Sequence, residues 1–491
     1  MHYVCPTTLV VFALPPIEPH KSPPSSCLNN LHGITSGALL MRAKYDVVIA
    51  GLGPAGSVAL WHLAKKGFSV AGFDMRKPED VWGKPCGDAL GAHHPREAGL
   101  PDPPNHVVKN KVAAIDIYSP GETTRYRVYG EGYIIDRTRF GKWIIDEASS
   151  SGAEAYFGAR IIAPIIRDGK VAGVQMQLGD QVKEVYADVV IEATGFSRAI
   201  RARLPRNWFI YEDIHPRDMN IAYREIIEYE DYEVEEPNII RIYLDQNVAP
   251  GGYWWYFPES RYSVNVGLGV QGGMGYPNPM TLYREKLLKH PLMQRPYHVV
   301  KAAGAPLPTR RPSNTLVGPG ILVIGDAGYT VNPVHGGGMG YAFRAAYYAT
   351  LAVEEAYNRN DFSEQGLWGL NVRYMKDVGG KQAALDVFRR FLQRLSNDEI
   401  RFGMEKRLIP EQDVYYTSSR GDLNVSVVEK AMIVLRGLQK PSLLAKLKLV
   451  ADYMKRIKQL YMEYPEKPAR LREWVRSVDA LINEFEAKIG K

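Results

Sequence analysis

The sequence predicts an α/β fold with α+β elements: a parallel-sheet domain that binds a dinucleotide, an interleaved antiparallel sheet, and a helical C-terminal region. Three observations predict it. Tyr45 to Asp74 reads as strand, glycine turn, helix and second strand. Segments of period-two alternation break into the chain after it, at 111–133 and again within 205–314. Two later apolar strands, one ending at Thr194-Gly195 and one at Gly325-Asp326, stop in small-residue turns that let a backbone approach a ligand closely.

Asp46 to Ala50 is a β-branched run suited to a buried parallel strand, and it leads into Gly51, Gly53 and Gly56 in G-x-G-x-x-G spacing. Pro54 suits the first turn of a helix, Ala59, Leu60, Leu63 and Ala64 give that helix an apolar face, and Gly67 ends it. Ser69 to Phe73 forms the second strand and closes on Asp74. In such a Rossmann-type unit Gly51 permits the tight turn, Gly53 lets a pyrophosphate reach the backbone, and Gly56 lets helix pack on strand. The helix N-terminus offers free N–H groups to the phosphates, and Asp74 accepts from both hydroxyls of an adenosine ribose. An acid at 74 disfavours a 2′-phosphate, so the nucleotide is FAD or NAD rather than NADP.

Residues 1–40 are rich in proline and serine, show no helix or strand period, and lack a basic n-region and an A-x-A-like site. They are expected to be a disordered leader, or to precede a true start at Met41. Three cysteines, Cys5, Cys27 and Cys86, exclude a disulfide framework and a cysteine-ligated iron–sulfur cluster. No apolar run approaches the ~18–20 residues that span a bilayer, so a cytoplasmic chain, at most peripheral to a membrane, is expected. A net charge of +7 is mild for 491 residues, and no zinc-ligand or RNA-binding signature accompanies it; neither a metal nor nucleic acid is expected as a partner.

The loop 76–100, with Gly83-Lys84-Pro85-Cys86-Gly87-Asp88, leaves the carboxyl edge of the sheet, where ligands of α/β folds collect. Cys86 is either a small buried hydrophobe or a thiol facing the nucleotide. Ile134 to Phe140 leads into a helix through Ala148, and two strands near Ile161–Arg167 and Val171–Leu178 flank the hairpin turn Asp168-Gly169-Lys170. Strands are expected at Ile239–Leu244, Tyr253–Phe257 and Tyr262–Leu268. Tyr253-Trp254-Trp255-Tyr256-Phe257 carries more aromatics than one sheet face needs, which suggests the wall of a large apolar cavity. After Asp326, the loop Asn332-Pro333-Val334-His335-Gly336-Gly337-Gly338-Met339 opens a helix through Ala345 to Tyr357, an arrangement suited to ribose and phosphate. From about Asp361 the chain is helical and basic; Leu443 to Tyr461 reads as a surface helix over a core, with membrane contact as the alternative. The expected division is therefore 41–110, 134–160, 185–204 and 315–360 for the nucleotide domain, 111–133, 161–184 and 205–314 for the substrate sheet, and 361–491 for the helical domain.

Gly51 to Gly56, Ala193 to Gly195 and Gly325 to Ala327 together resemble the flavoproteins of the aromatic hydroxylase and glutathione reductase superfamily. Within it, Lys84 to Asp88, the Pro250-x-x-Tyr253-x-Trp255-x-Phe257-Pro258 run and Asn332 to Gly338 resemble the archaeal geranylgeranyl reductases. The resemblance implies FAD held through Ala55, Asp74, Cys86, Gly87, Ala89, Arg137, Ala159, Asp326, Gly338 and Met339, beside the glycines 51, 53, 56 and 195. It implies a prenyl-lipid substrate lying along Tyr253, Trp255 and Phe257, with a headgroup phosphate near Arg310 and Arg311. Its C=C bonds would be saturated by hydride from flavin N5 and a proton, for which Cys86 and then His335 are the candidate donors. The electron donor would be ferredoxin or a nicotinamide. On the same fold a monooxygenase is the rival enzyme, and a prenyl-lipid carrier of the GDP-dissociation-inhibitor type the rival non-enzyme.

Overall fold

In a computed structural model that describes residues 41–411, 413–414 and 441–490, the chain is built on two eight-stranded sheets. The leader 1–40 lies outside the described residues. The first sheet has a parallel centre in the order Ile321–Val323, Gln181–Glu192, Lys44–Ala50, Val70–Asp74, Glu154–Phe157. Residues 47–50, 189–191 and 321–323 at the centre are buried on both faces, which is why they read as continuous apolar runs, while the edge strand Glu154–Phe157 is half-buried. They all run the same way, so Gly51, Asp74, Thr194 and Gly325 emerge along one edge. The helix Pro54–Lys65 packs beside Arg137–Ser150 and Met339–Arg359 to cover one face.

The hairpin Ala159–Arg167 and Lys170–Leu178 belongs to this first sheet, through pairing of Lys170–Leu178 with Gln181–Glu192. The assignment of 161–184 to the substrate sheet is thereby corrected. A hairpin turn reports that two strands pair with each other, but not which sheet they extend.

The second sheet runs in the order Tyr297–Pro308, Met219–Tyr229, Ser263–Gln271, Tyr253–Pro258, Ile239–Tyr243, Val108–Tyr118, Arg125–Ile135, Ala89–Gly91. It is mixed rather than wholly antiparallel, because Ile239–Tyr243 lies parallel to Val108–Tyr118, to which a long connection returns it. Its two faces differ. Trp254, Tyr256, Val264, Val266 and Leu268 turn into a closed core under the helix Pro279–Glu285, where Trp254 stacks on Tyr243 with ring centres 3.6 Å apart. Tyr253, Trp255 and Phe257 turn the other way.

The C-terminal helices are not a separate layer. Trp368, Tyr374, Phe388, Tyr453 and Trp474 share one continuous core with Val47 and Ile49 of the first sheet. The helix Pro441–Met462 buries Leu447, Val450, Met454 and Ile457 and packs on Gly380–Leu392. Its apolar stripe is used inside the protein, as the core-covering reading expects. Among the described residues, no helix is long and apolar enough to cross a membrane.

Candidate active site

One cavity of about 1830 Å³ collects nearly every residue that the sequence singles out. Small-molecule pockets usually hold about 300–1,000 Å³, so the space suits more than one ligand.

Its first arm lies at the carboxyl edge of the parallel sheet. Gly51 sits at φ +95°, and a Cβ there would stand 2.5 Å from the Ala193 carbonyl oxygen. A Cβ on Gly53 would meet nothing within 4 Å, which leaves an open cradle facing the N-terminus of Pro54–Lys65. Gly56 differs from both: it does not line the cavity, and a Cβ there would come within 1.8 Å of the Gly51 carbonyl oxygen. It is a packing glycine, and its expected place among the cofactor contacts is corrected to the support of the turn. Asp74, almost fully buried, accepts from Leu52 N–H at 2.9 Å and from Arg76 N–H at 2.8 Å. Each carboxylate oxygen keeps further lone pairs for a ribose.

Ala55, Arg137, Ala159, Gly195, Asp326, Gly338 and Met339 continue this wall. Asp326 is held by the ammonium group of Lys84. Buried Glu192 shapes the turn at Thr194-Gly195 by accepting from Thr194 Oγ1 at 2.7 Å, Ile200 N–H at 2.8 Å and Arg201 N–H at 2.7 Å. Asn332, wholly buried, organises the glycine loop by accepting from Val334 and His335 N–H at 2.9 and 3.2 Å. The donor set fits a dinucleotide: an open glycine cradle at a helix N-terminus, with an acid at the tip of each of two strands.

The second arm is apolar. Its floor is the open face of the second sheet, with Tyr253, Trp255, Phe257, Ile240, Ile242, Ile115, Ile117 and Val128. From the aromatic strand to Arg125–Ile135 is three strand spacings, or about 14 Å. Its roof is Leu385, Phe388, Phe391, Leu395, Ile400 and Met404 from the C-terminal helices. The sequence did not reveal this roof: apolar periodicity shows that a helix face is buried, not what it covers.

Cys86 and His335 stand where the arms meet. A Cβ on Gly87 would come within 2.8 Å of the Phe257 ring, so the Cys86 loop lies flush on the aromatic wall. Tyr253 Oη donates to the His335 carbonyl oxygen at 2.6 Å. The His335 ring is open to the cavity but walled by protein, and this burial pushes its imidazole down to about 4. Gly337 N–H donates to His335 Nδ1 at 3.1 Å, so the neutral ring carries its proton on Nε2. Beside them Asp88, in left-handed backbone at φ +61°, is buried, and burial raises its carboxyl to about 6 against the pull of Arg137 and Arg224.

Arg310 and Arg311 do not line the cavity. Both are buried, Arg310 against Glu212 at 2.7 Å and Arg311 against Asn314 at 2.6 Å. A headgroup site there is corrected; among the cations that do line the cavity are Arg344 and Lys381, both paired with Asp377, and His93 and His94 line it too.

A model of the geranylgeranyl reductase catalytic domain matches residues 218–306. Over 454 residues, covering 92% of this chain and 100% of the relative, the sequence is 44% identical to a digeranylgeranylglycerophospholipid reductase of Sulfolobus acidocaldarius. It is 30% identical over 362 residues to digeranylgeranylglycerophospholipid reductase 2 of Methanopyrus kandleri, covering 73% of this chain and 89% of that one. A geranylgeranyl bacteriochlorophyll reductase-like protein of Thermoplasma acidophilum has a TM-score of 0.69 at 23% identity over 81% of this chain and 98% of its own. A flavin-dependent brominase shares the fold at TM-score 0.58 and 17% identity, over 81% and 100%. With a two-armed cavity at the junction of its sheets, this chain belongs to the digeranylgeranylglycerophospholipid reductase family of flavin-dependent oxidoreductases.

Proposed function

We propose that the chain is an FAD-dependent reductase that saturates the C=C bonds of geranylgeranyl chains, carried on a diphosphate or a digeranylgeranylglycerol phospholipid. One observation carries the reading: a nucleotide cradle and an apolar channel open into one cavity at Cys86 and His335. A monooxygenase of small aromatic substrates has no use for an apolar arm of this length.

Gly51, Gly53, Ala55 and Asp74 would hold the adenosine half of FAD. Arg137, Ala159, Gly195, Asp326, Gly338 and Met339 would hold the rest, with Cys86, Gly87 and Ala89 as the contacts nearest the substrate arm. Bound and reduced, the flavin supplies hydride to a bond with no carbonyl to polarise. The protein's tasks are to orient that bond, exclude water and deliver a proton. Tyr253, Trp255 and Phe257 orient it by burying the chain at ~0.8 kcal/mol per methylene, enough to hold a substrate with no polar handle near the reacting carbons. The helices above them exclude water. The Cys86 thiol delivers the proton; a neutral His335 is the weaker acid for that task. A headgroup phosphate sits by His93, His94, Arg344 and Lys381. Electrons come from a ferredoxin or a nicotinamide, and the substrate is taken up at the surface of a membrane.

Stopped-flow mixing under argon tests the reading. Adding geranylgeranyl diphosphate to the dithionite-reduced protein is expected to restore the oxidised flavin band. A flavin that stays reduced until oxygen is admitted would contradict it.

A further inference from the structure

The Cys86 loop is fixed to the aromatic strand by an amide that no motif marks. Asn265 lies on Ser263–Gln271 opposite Phe257 and is completely buried. Its Oδ1 accepts from Trp255 Nε1 at 3.0 Å, while its Nδ2 donates to the Cys86 carbonyl oxygen at 2.8 Å and to Asp88 Oδ2 at 3.1 Å. The partners fix the amide's orientation: an indole N–H only donates, so oxygen must face it, and two acceptors require the NH₂ on the other side. Aspartate lacks that donor, and an apolar residue would take this partner from the buried Trp255 indole and Asp88 carboxyl and from the half-buried Cys86 carbonyl. At the neighbouring Gly87 even a Cβ would come within 2.8 Å of the Phe257 ring, so the loop has little room to find another register.

We propose that Asn265 is a positioning residue for the reduction. It locks the loop of the proton-delivering thiol to the indole of the channel wall, so that the proton source and the bound alkene keep one spacing. It touches neither reacting carbon and acts through Cys86 and Trp255. The proposal rests on the reductase reading above.

The test compares wild type with Asn265→Ala, Asn265→Ser and Asn265→Asp, each loaded with FAD and reduced. A loosened loop is expected to slow single-turnover alkene reduction by about 100-fold at nearly unchanged KM, the size of effect that misplacement by about an ångström produces. In Asn265→Asp the new carboxylate faces a carbonyl and the Asp88 carboxyl. Its rate relative to wild type is expected to recover about tenfold from about pH 8 to about pH 5, where a protonated acid restores one donor; the alanine variant has no such recovery. Iodoacetamide labelling at Cys86, read by peptide mass spectrometry on flavin-free protein, is expected to quicken about fivefold in the variants. Asn265→Ser, which keeps a hydroxyl in the same space, decides the matter if the alanine variant does not fold. Wild-type rates and labelling in a folded variant overturn the proposal, as does a raised KM with an unchanged rate. A wild type that leaves every prenyl substrate unreduced removes the reductase reading itself, whatever the variants do.

Discussion

On the proposed reading, two side chains at the meeting of the arms would divide the proton chemistry by their surroundings. His335 is kept neutral, with Nδ1 occupied by the Gly337 N–H and its imidazole pushed down to about 4 by burial. Protonation of His335 rises only as pH falls through that value, so near neutral pH a charged ring is scarce. Cys86 stands free of any disulfide, in a loop braced from below. At this scale the account predicts that Cys86→Ser slows single-turnover reduction by about 100-fold or more near pH 7, while His335→Ala slows it by less than about tenfold. Rapid-quench measurement of reduced product checks both. The opposite order would move the proton to His335.

The glycine turn makes a prediction at the level of an element, because two of its glycines have different neighbours. Gly53 faces open space, so Gly53→Ala is expected to fold with wild-type thermal stability yet lose bound flavin, since the methyl group stands where the pyrophosphate must approach. Gly56→Ala drives a methyl into the Gly51 carbonyl and is expected to cost at least about 1–3 kcal/mol of stability through overpacking. Thermal unfolding of flavin-free protein and flavin absorbance per mole of purified protein separate the two effects. A Gly53→Ala variant that keeps its flavin would contradict the cradle. This element was almost fully legible, because G-x-G-x-x-G with its flanking strands depends on local backbone geometry. The aromatic run was legible too, since strand alternation alone sends Tyr253, Trp255 and Phe257 to one face and Trp254 and Tyr256 to the other. What could not be read is set by distant pairing. Asn265 looks like any polar residue in a strand until its register places it under Cys86, some 179 positions away. The same applies to Arg310 and Arg311, basic by sequence but spent on Glu212, Asn314 and Asp479.

At the scale of the molecule, the fold joins three parts around one void. The parallel sheet contributes an edge of glycines and acids, the second sheet a flat aromatic and aliphatic floor, and the C-terminal helices a roof. Phe388 and Phe391 of that roof are continuous with the first sheet's core, while Ile400 and Met404 pack on Tyr126 and Ile117 of the second sheet, so the roof ties the two sheets together. On the proposed reading this arrangement would let a long prenyl chain lie along the apolar arm with a double bond beside Cys86.

The central claim is that these bonds are reduced, and the mass of the product tests it most directly. Anaerobic incubation of the dithionite-reduced protein with geranylgeranyl diphosphate and with a digeranylgeranylglycerol phospholipid should give products heavier by successive pairs of hydrogen atoms. Substrates recovered at their original mass, or a product heavier by one oxygen atom, would contradict the account.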